Sequence, residues 1–206
     1  MTSSTNPRAP APDEISEVER FDLDVAVEVR HHHHNPFVRW AGKASEIADQ
    51  PQLLAVCGCV VAAGLLGGRP ALTRTGLRML AAFGLATGMK NWLKARIRRT
   101  RPKAALEKGR YEMEAAESQD GDEGSFPSGH TAGAVAVAGA VASEHPRLAL
   151  PAFGLAAAIA AIQVPRGKHY PSDLAAGFAV GLAATALAAA LFASFDHAAG
   201  RHDRRR

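Results

Sequence analysis

Hydrophobic positions in this chain gather into five uncharged runs: residues 51–68, 79–89, 131–143, 148–165 and 174–195. All five are rich in small residues. A helix needs about 20 mostly apolar residues, with a range of about 17–25, to cross a bilayer. Three runs meet that length. The other two, 79–89 and 131–143, meet it only where polar ends snorkel or face the bundle interior. Small residues suit close helix packing in lipid. The pattern predicts an all-α, integral membrane helical bundle of about five spanning helices. A soluble Ala-rich bundle is the alternative, and an uncharged 22-residue run is unusual in one.

The pattern is weaker ahead of the bundle. Residues 1–13, with Ser, Thr and three prolines, read as a disordered tail. Residues 14–50 read as an amphipathic, interfacial segment. Within it, residues 21–30 alternate like a strand. No partner strand is evident and a lone strand leaves its backbone unpaired, so a surface helix is predicted. Residues 36–48 set Phe37, Val38, Trp40 and Ala41 against Arg39, Lys43 and Glu46, the pattern of a short helix able to lie in the membrane interface. A bundle domain at 51–195 follows, then a basic tail at 196–206.

Composition narrows the class. Twenty-four Lys and Arg against 20 Asp and Glu give a net charge of +4, and no nucleic-acid module is visible, so no nucleic-acid partner is expected. The first 30 residues contain no apolar core of a secretory signal. Cys57 and Cys59, one residue apart in an apolar run, point to different helix faces and suit neither a disulfide nor zinc. His31–His34 could bind metal as a low-complexity tract, but reads as a solvated loop before Asn35-Pro36. No cofactor and no metal site are expected.

Three polar clusters stand at the ends of apolar runs. The first holds Lys94, Arg98 and Arg101, followed by Pro102. If the helix continues to Pro102, all three cations share one face. The second, residues 125–130, contains Ser128, Gly129 and His130. A small residue and a glycine at a helix start leave backbone N–H groups and the helix dipole aimed at an anion. The third, residues 166–173, contains Arg166, His169, Pro171 and Asp173. Pro171 suits a first helical position, which lets Asp173 reach back to His169 and fix its tautomer. If the runs zigzag through one bundle, the three clusters meet on one side. Two histidines, an acid and several cations then surround a backbone anion site, which is equipment for phosphoryl transfer.

In order and spacing these residues resemble the type-2 phosphatidic acid phosphatase family, within the vanadium haloperoxidase superfamily. Its pattern is Lys, six residues, Arg-Pro; then Pro-Ser-Gly-His; then Ser-Arg, five residues, His, three residues, Asp. Lys94 with Arg101-Pro102, the run 127–130, and His169 with Asp173 match it, and the resemblance covers roughly 51–195. It implies that His169 attacks phosphorus to form a phosphohistidine and that Asp173 orients His169. It implies that His130 protonates the leaving oxygen and then activates water. Lys94, Arg101 and the N–H groups of Ser128 and Gly129 would hold the phosphate, with no metal. The family's arginine is replaced by Gln163 and its serine by Ile162. Arg166 is expected to supply the missing grip, with Arg98 as the alternative.

The implied partners are a lipid phosphate or diphosphate and the lipids of an inner or plasma membrane. Phosphatidic acid, phosphatidylglycerophosphate and polyprenyl diphosphate all fit. The acidic residues 112–123 read as a flap that repels free anions and so favours a membrane-borne substrate. Setting the site cations aside, the positive-inside rule favours a cytoplasmic C-terminus and an outward-facing site. Two other readings remain. A vanadate-dependent haloperoxidase would use the same cradle, against which stands the short, apolar chain. A non-catalytic binder of lipid phosphates is suggested by Gln163, against which stand His130, His169 and Asp173.

Overall fold

The computed structural model describes residues 15–115 and 124–203, with side chains to residue 197. The tail read into 1–13 and the flap residues 116–123 lie outside the described residues. Helix α1 (Glu17–Val29) opens with a capping box between Ser16 and Glu19, which satisfies two otherwise orphaned amides. Helix α2 (Pro36–Ser45) starts on an Asn35 cap with proline in its first turn. The apolar runs form α3 (Gln50–Leu66), α4 (Pro70–Lys94), α6 (Gly129–Glu144), α7 (Ala149–Ala161) and α8 (Pro171–Asp203). Between α4 and α6 stand a short helix α5 (Pro102–Lys108) and two strands, β1 (Ile97–Arg99) and β2 (Met113–Ala115), paired antiparallel.

The five apolar helices alternate in direction. At one end Arg74 of α4 pairs with Glu144 of α6 and Asp196 of α8, and Thr75 lies 3.0 Å from His145. At the other end stand Lys94, Gly129 and Pro171. Helix α8 over Pro171–His197, with mean hydropathy 2.0, is by itself long and apolar enough to cross a bilayer. Helices α2 and α3 pass the same test together, bent by 57°. Among the described residues the other runs are short or interrupted by charge: α6 has 16 residues, roughly 24 Å at 1.5 Å per residue.

Glycines bring the helices that carry the site into contact. A Cβ at Gly177 would stand 2.6 Å from the Ser128 carbonyl, and one at Gly181 would stand 2.7 Å from Val135 Cβ. This small-xxx-small seam lets the α8 backbone lie on α6 and sets His169 and Asp173 beside residues 128–130. Ala132, Ala136, Ala140, Val180, Ala184 and Ala188 continue the interface, with Cys57 buried in the same core. Cys59 is exposed, and both thiols are free.

Two expectations change. Helix α4 stops at Lys94, and Pro102 begins α5 instead of ending a helix, so the single stripe of Lys94, Arg98 and Arg101 does not form. The reason is pairing with the acidic segment. Ile97–Arg99 ladder with Met113–Ala115, the Thr100 amide donates to Glu112 O at 2.9 Å, and Arg98 pairs with Glu114. Arg101 is extended, as the residue before a proline prefers. A small β-ribbon therefore interrupts the all-α pattern. The other change is in α1. It is a helix, but it buries Asp22 and Ala26 against the bundle end instead of resting on the surface.

Candidate active site

His169 sits between the 166–168 loop and the first turn of α8, buried to 4% exposure. Its Nδ1 lies 2.8 Å from the Ser125 carbonyl oxygen. A carbonyl only accepts, so Nδ1 carries the proton and Nε2 keeps its lone pair. Asp173 Oδ2 stands 3.7 Å from Nδ1, beyond hydrogen-bond reach. The tautomer is thus fixed by the Ser125 backbone, with Asp173 adding its charge nearby. Burial is the main influence on the ring and lowers its pKa below 6.5. Asp173 works in the opposite direction, and the cations Lys94 and Arg101 add to the lowering. A lowered pKa keeps the imidazole neutral to more acidic pH. The acid limb of kcat/KM, corrected for ionisation of the substrate phosphate, is therefore expected below pH 6.5. A limb centred above that value would contradict this reading of the site.

Asp173 is held by more groups than the sequence indicated. Its Oδ2 accepts from the Tyr170 amide at 2.8 Å and from the Ser125 hydroxyl. Its Oδ1 accepts from Arg99 Nη1 at 2.7 Å. Arg99, 1% exposed, also donates Nη2 to Asp22 at 2.7 Å and Nη1 to Ser172 Oγ at 2.7 Å, and stacks 4.1 Å from the Tyr170 ring centre. Asp22 in turn accepts from the Ser172 amide at 3.1 Å. One planar guanidinium thus joins two buried carboxylates, one on α1 and one on α8, a geometry that suits arginine and not lysine.

His130, in the first turn of α6, faces His169 with ring centres 6.4 Å apart. Its Nε2 lies 2.8 Å from Asp49 Oδ1, without hydrogen-bond alignment. Lys90, one turn before Lys94, is buried and reaches Gln50. A Cβ at Gly129 would stand 3.1 Å from the Lys90 stem, so the glycine admits this lysine to the helix start. Lys94 donates to the Gly124 carbonyl. Arg101, as cap of α5, stands close enough to bear on His169.

Two assigned roles are corrected. The Ser128 amide donates to the Asp173 carbonyl at 3.0 Å, and the Ser128 hydroxyl accepts from Thr131. Ser128 therefore ties α6 to α8 instead of offering its N–H to an anion. The next amides, Gly129 and His130, have no partner among the described residues. Arg166 does not reach back towards His169. Its guanidinium donates to Gly42 O at 2.8 Å and Ser45 Oγ at 3.1 Å, and pairs with Glu46 at 2.9 Å. Gln163, fully buried, donates to the same Ser45 Oγ at 3.0 Å and to Ile159 O at 2.9 Å. The turn before His169 thus faces α2, and both side chains are drawn into clasping that helix. Arg98, the alternative, is committed to the β-ribbon acids.

Sequence reasoning missed Asp22, Asp49, Lys90 and Arg99, and placed Ser125 in the second cluster without its contacts to His169 and Asp173. Arg99 looked like one more member of a basic run. The two aspartates lie far along the chain from their partners, and nothing local announces them.

This arrangement of two facing histidines, a buried acid and cations at a helix start belongs to a defined class. The PAP2 superfamily model matches residues 75–195, and the chain belongs to that superfamily. Among solved structures, the chain is similar to LpxE of Aquifex aeolicus, with TM-score 0.57, 16% identity, and coverage of 87% of this chain and 98% of that one. It also matches a transmembrane PAP2-type phosphatidylglycerolphosphate phosphatase from Bacillus subtilis, with TM-score 0.41, 22% identity, and coverage of 86% and 94%. No curated sequence matches the chain.

Proposed function

We propose that the protein is a membrane-embedded phosphatase that hydrolyses a lipid phosphate or diphosphate through a phosphohistidine at His169. The observation that carries this reading is the His169–His130 pair, 6.4 Å between ring centres, set beside the α6 N-terminus and Lys94. The lone pair on His169 Nε2 attacks phosphorus, and the P–O bond to the lipid breaks on the opposite side. His130 supplies the proton to the departing oxygen, with Asp49 balancing the imidazolium charge. In the second half, His130 takes a proton from water, whose oxygen displaces His169 and releases phosphate. Lys94, Arg101 and the Gly129 amide stabilise the charge that gathers on the equatorial oxygens.

Five spans through an inner or plasma membrane fit the alternating apolar helices, with the site at one membrane face. Helix α4 carries charge at both ends, Arg74 and Arg78 away from the site and Lys90 and Lys94 at it, and α6 has 16 residues, so neither passes as a span when read singly. Exposed Phe37 and Trp40, with ring centres 6.3 Å apart, suit the headgroup level.

The test is phosphate release by purified protein in detergent, on a panel of phosphatidic acid, phosphatidylglycerophosphate and polyprenyl diphosphate. Activity is expected to survive EDTA. The described residues offer cations and amides to phosphate, and no group of three or more His, Cys, Asp or Glu that could hold a metal. Orthovanadate is expected to inhibit, because its five-coordinate form mimics the transition state. A strict magnesium requirement would count against the phosphohistidine route. Binding without turnover of any panel member would leave a lipid-phosphate binder.

A further inference from the structure

Lys90 is a buried charge to which the phosphohistidine route gives no task. It stands one turn before Lys94 on α4 and is 8% exposed, so its ammonium does not snorkel out to water. A Cβ at Gly129 would stand 3.1 Å from its Cδ and 3.8 Å from its Nζ. The charge itself, and not only the stem, therefore lies against the start of α6. There the amides of Gly129 and His130 have no partner among the described residues. A cavity of about 100 Å³ adjoins these groups, with Asp49, Gln50, Thr87, Lys90, Gly129 and His130 in its lining.

The neighbours of Lys90 hold it without neutralising it. Its ammonium donates to the Gln50 side-chain oxygen at 3.4 Å, a neutral acceptor at the outer limit of such a bond. Asp49 lines the same cavity, but its carboxylate stands at His130, and Lys90 forms no ion pair among the described residues. An ammonium has three donors, and burying one without a counter-charge is costly. An ionisable group kept inside a spanning helix at such a cost marks a functional site. Lys94, on the same face of α4, is near enough to repel it, so an anion that reaches Lys90 also relieves that repulsion. Gln163 and Arg166 both turn to Ser45, and neither brings a donor to the anion site.

We propose that Lys90 is a further phosphate-binding residue: its ammonium moves from Gln50 onto the equatorial phosphate oxygen that the Gly129 amide meets. It thereby supplies from α4 the charge that Gln163 and Arg166 do not bring. The proposal rests on the phosphatase reading and adds to it a residue outside all three sequence clusters. The move is favourable because a charge-assisted bond to a phosphate oxygen replaces a long bond to a neutral amide. The contact strengthens as charge gathers on the equatorial oxygens in the transition state. The competing role, a strut that fastens the start of α3 through Gln50, predicts lost stability and no change in anion affinity.

The experiment compares wild type, Lys90→Gln and Lys90→Arg in neutral detergent. It measures the Kd of orthovanadate from the concentration dependence of the thermal midpoint, together with kcat/KM on the panel lipids. Lys90→Gln is expected to bind orthovanadate at least ~10-fold more weakly and to lose at least as much in kcat/KM. Its midpoint without anion is expected to be no lower than that of wild type, because it no longer buries a charge. Lys90→Arg keeps the charge and is expected to recover part of the affinity. A lowered midpoint with equal affinity losses in both variants would make Lys90 a strut and overturn the proposal. Gln50→Glu decides the matter should the Lys90 variants fail to fold. Its new carboxylate is expected to pair with Lys90, raising the midpoint without anion while weakening orthovanadate at least ~10-fold. A raised midpoint with unchanged affinity overturns the proposal. Wild type that neither binds orthovanadate nor turns over any panel lipid refutes the phosphatase reading and the role of Lys90 with it. Wild-type affinity retained in Lys90→Gln refutes the role of Lys90 alone.

Discussion

Replacing His169 with alanine is expected to lower turnover by at least ~10³-fold, about 4 kcal/mol of transition-state stabilisation. In the proposed mechanism alanine removes the nucleophile, a buried ring whose tautomer is fixed. The Ser125 carbonyl fixes the proton on Nδ1, and burial keeps the ring neutral. Neither Lys94 nor Lys90 replaces it, since both point their charges at other groups. His130→Ala is expected to be crippled in a different way. With an activated leaving group the first step no longer needs a proton donor, while the second still needs a base for water. An acid-labile phosphoenzyme should therefore accumulate in His130→Ala and be absent from His169→Ala. Near-wild-type phosphate release by His169→Ala would remove the mechanism, and a phosphoenzyme in that variant would move the nucleophile elsewhere.

The parts of this protein legible in its sequence are those encoded locally. Five apolar runs form five helices, because uncharged stretches of Ala, Gly, Leu and Val have few other ways to satisfy their backbone. The site motifs could be read because each lies at a helix end, where a proline or a small residue marks the boundary. What could not be read is set by contacts between distant segments. The Lys94–Arg101 stretch reads as helix by charge spacing, yet pairing with residues 113–115 makes part of it a strand. Arg166 reads as the phosphate grip that Gln163 no longer supplies, yet Ser45, more than a hundred residues earlier, takes both side chains. The family match spans 75–195, but Asp22 and Asp49 reach the site from before it. Residues ahead of the apolar bundle thus pack against the candidate site, a placement no pattern within residues 14–50 indicates.

Removing the Arg99 side chain tests that packing most directly. Arg99→Met keeps the length and apolar stem but deletes the charge between Asp22 and Asp173, which are both fully buried. Breaking a buried ion pair from one side typically costs about 3–5 kcal/mol, because the remaining charge stays desolvated. Here one deletion strands two carboxylates. The thermal midpoint in detergent is expected to fall by roughly 10 °C, and kcat to fall with it as Asp173 loses its main tether to the ribbon. Arg99→Lys should rescue little, since one ammonium cannot bridge both carboxylates with the planar fork that guanidinium supplies. Asp22→Asn combined with Arg99→Met should recover part of the midpoint by removing one stranded charge, but not the rate, because Asp173 remains untethered. That split separates a positioning role from a purely structural one. If the double variant recovers rate and midpoint together, Arg99 serves the fold alone. If Arg99→Met changes neither, the link between α1 and Asp173 does not operate.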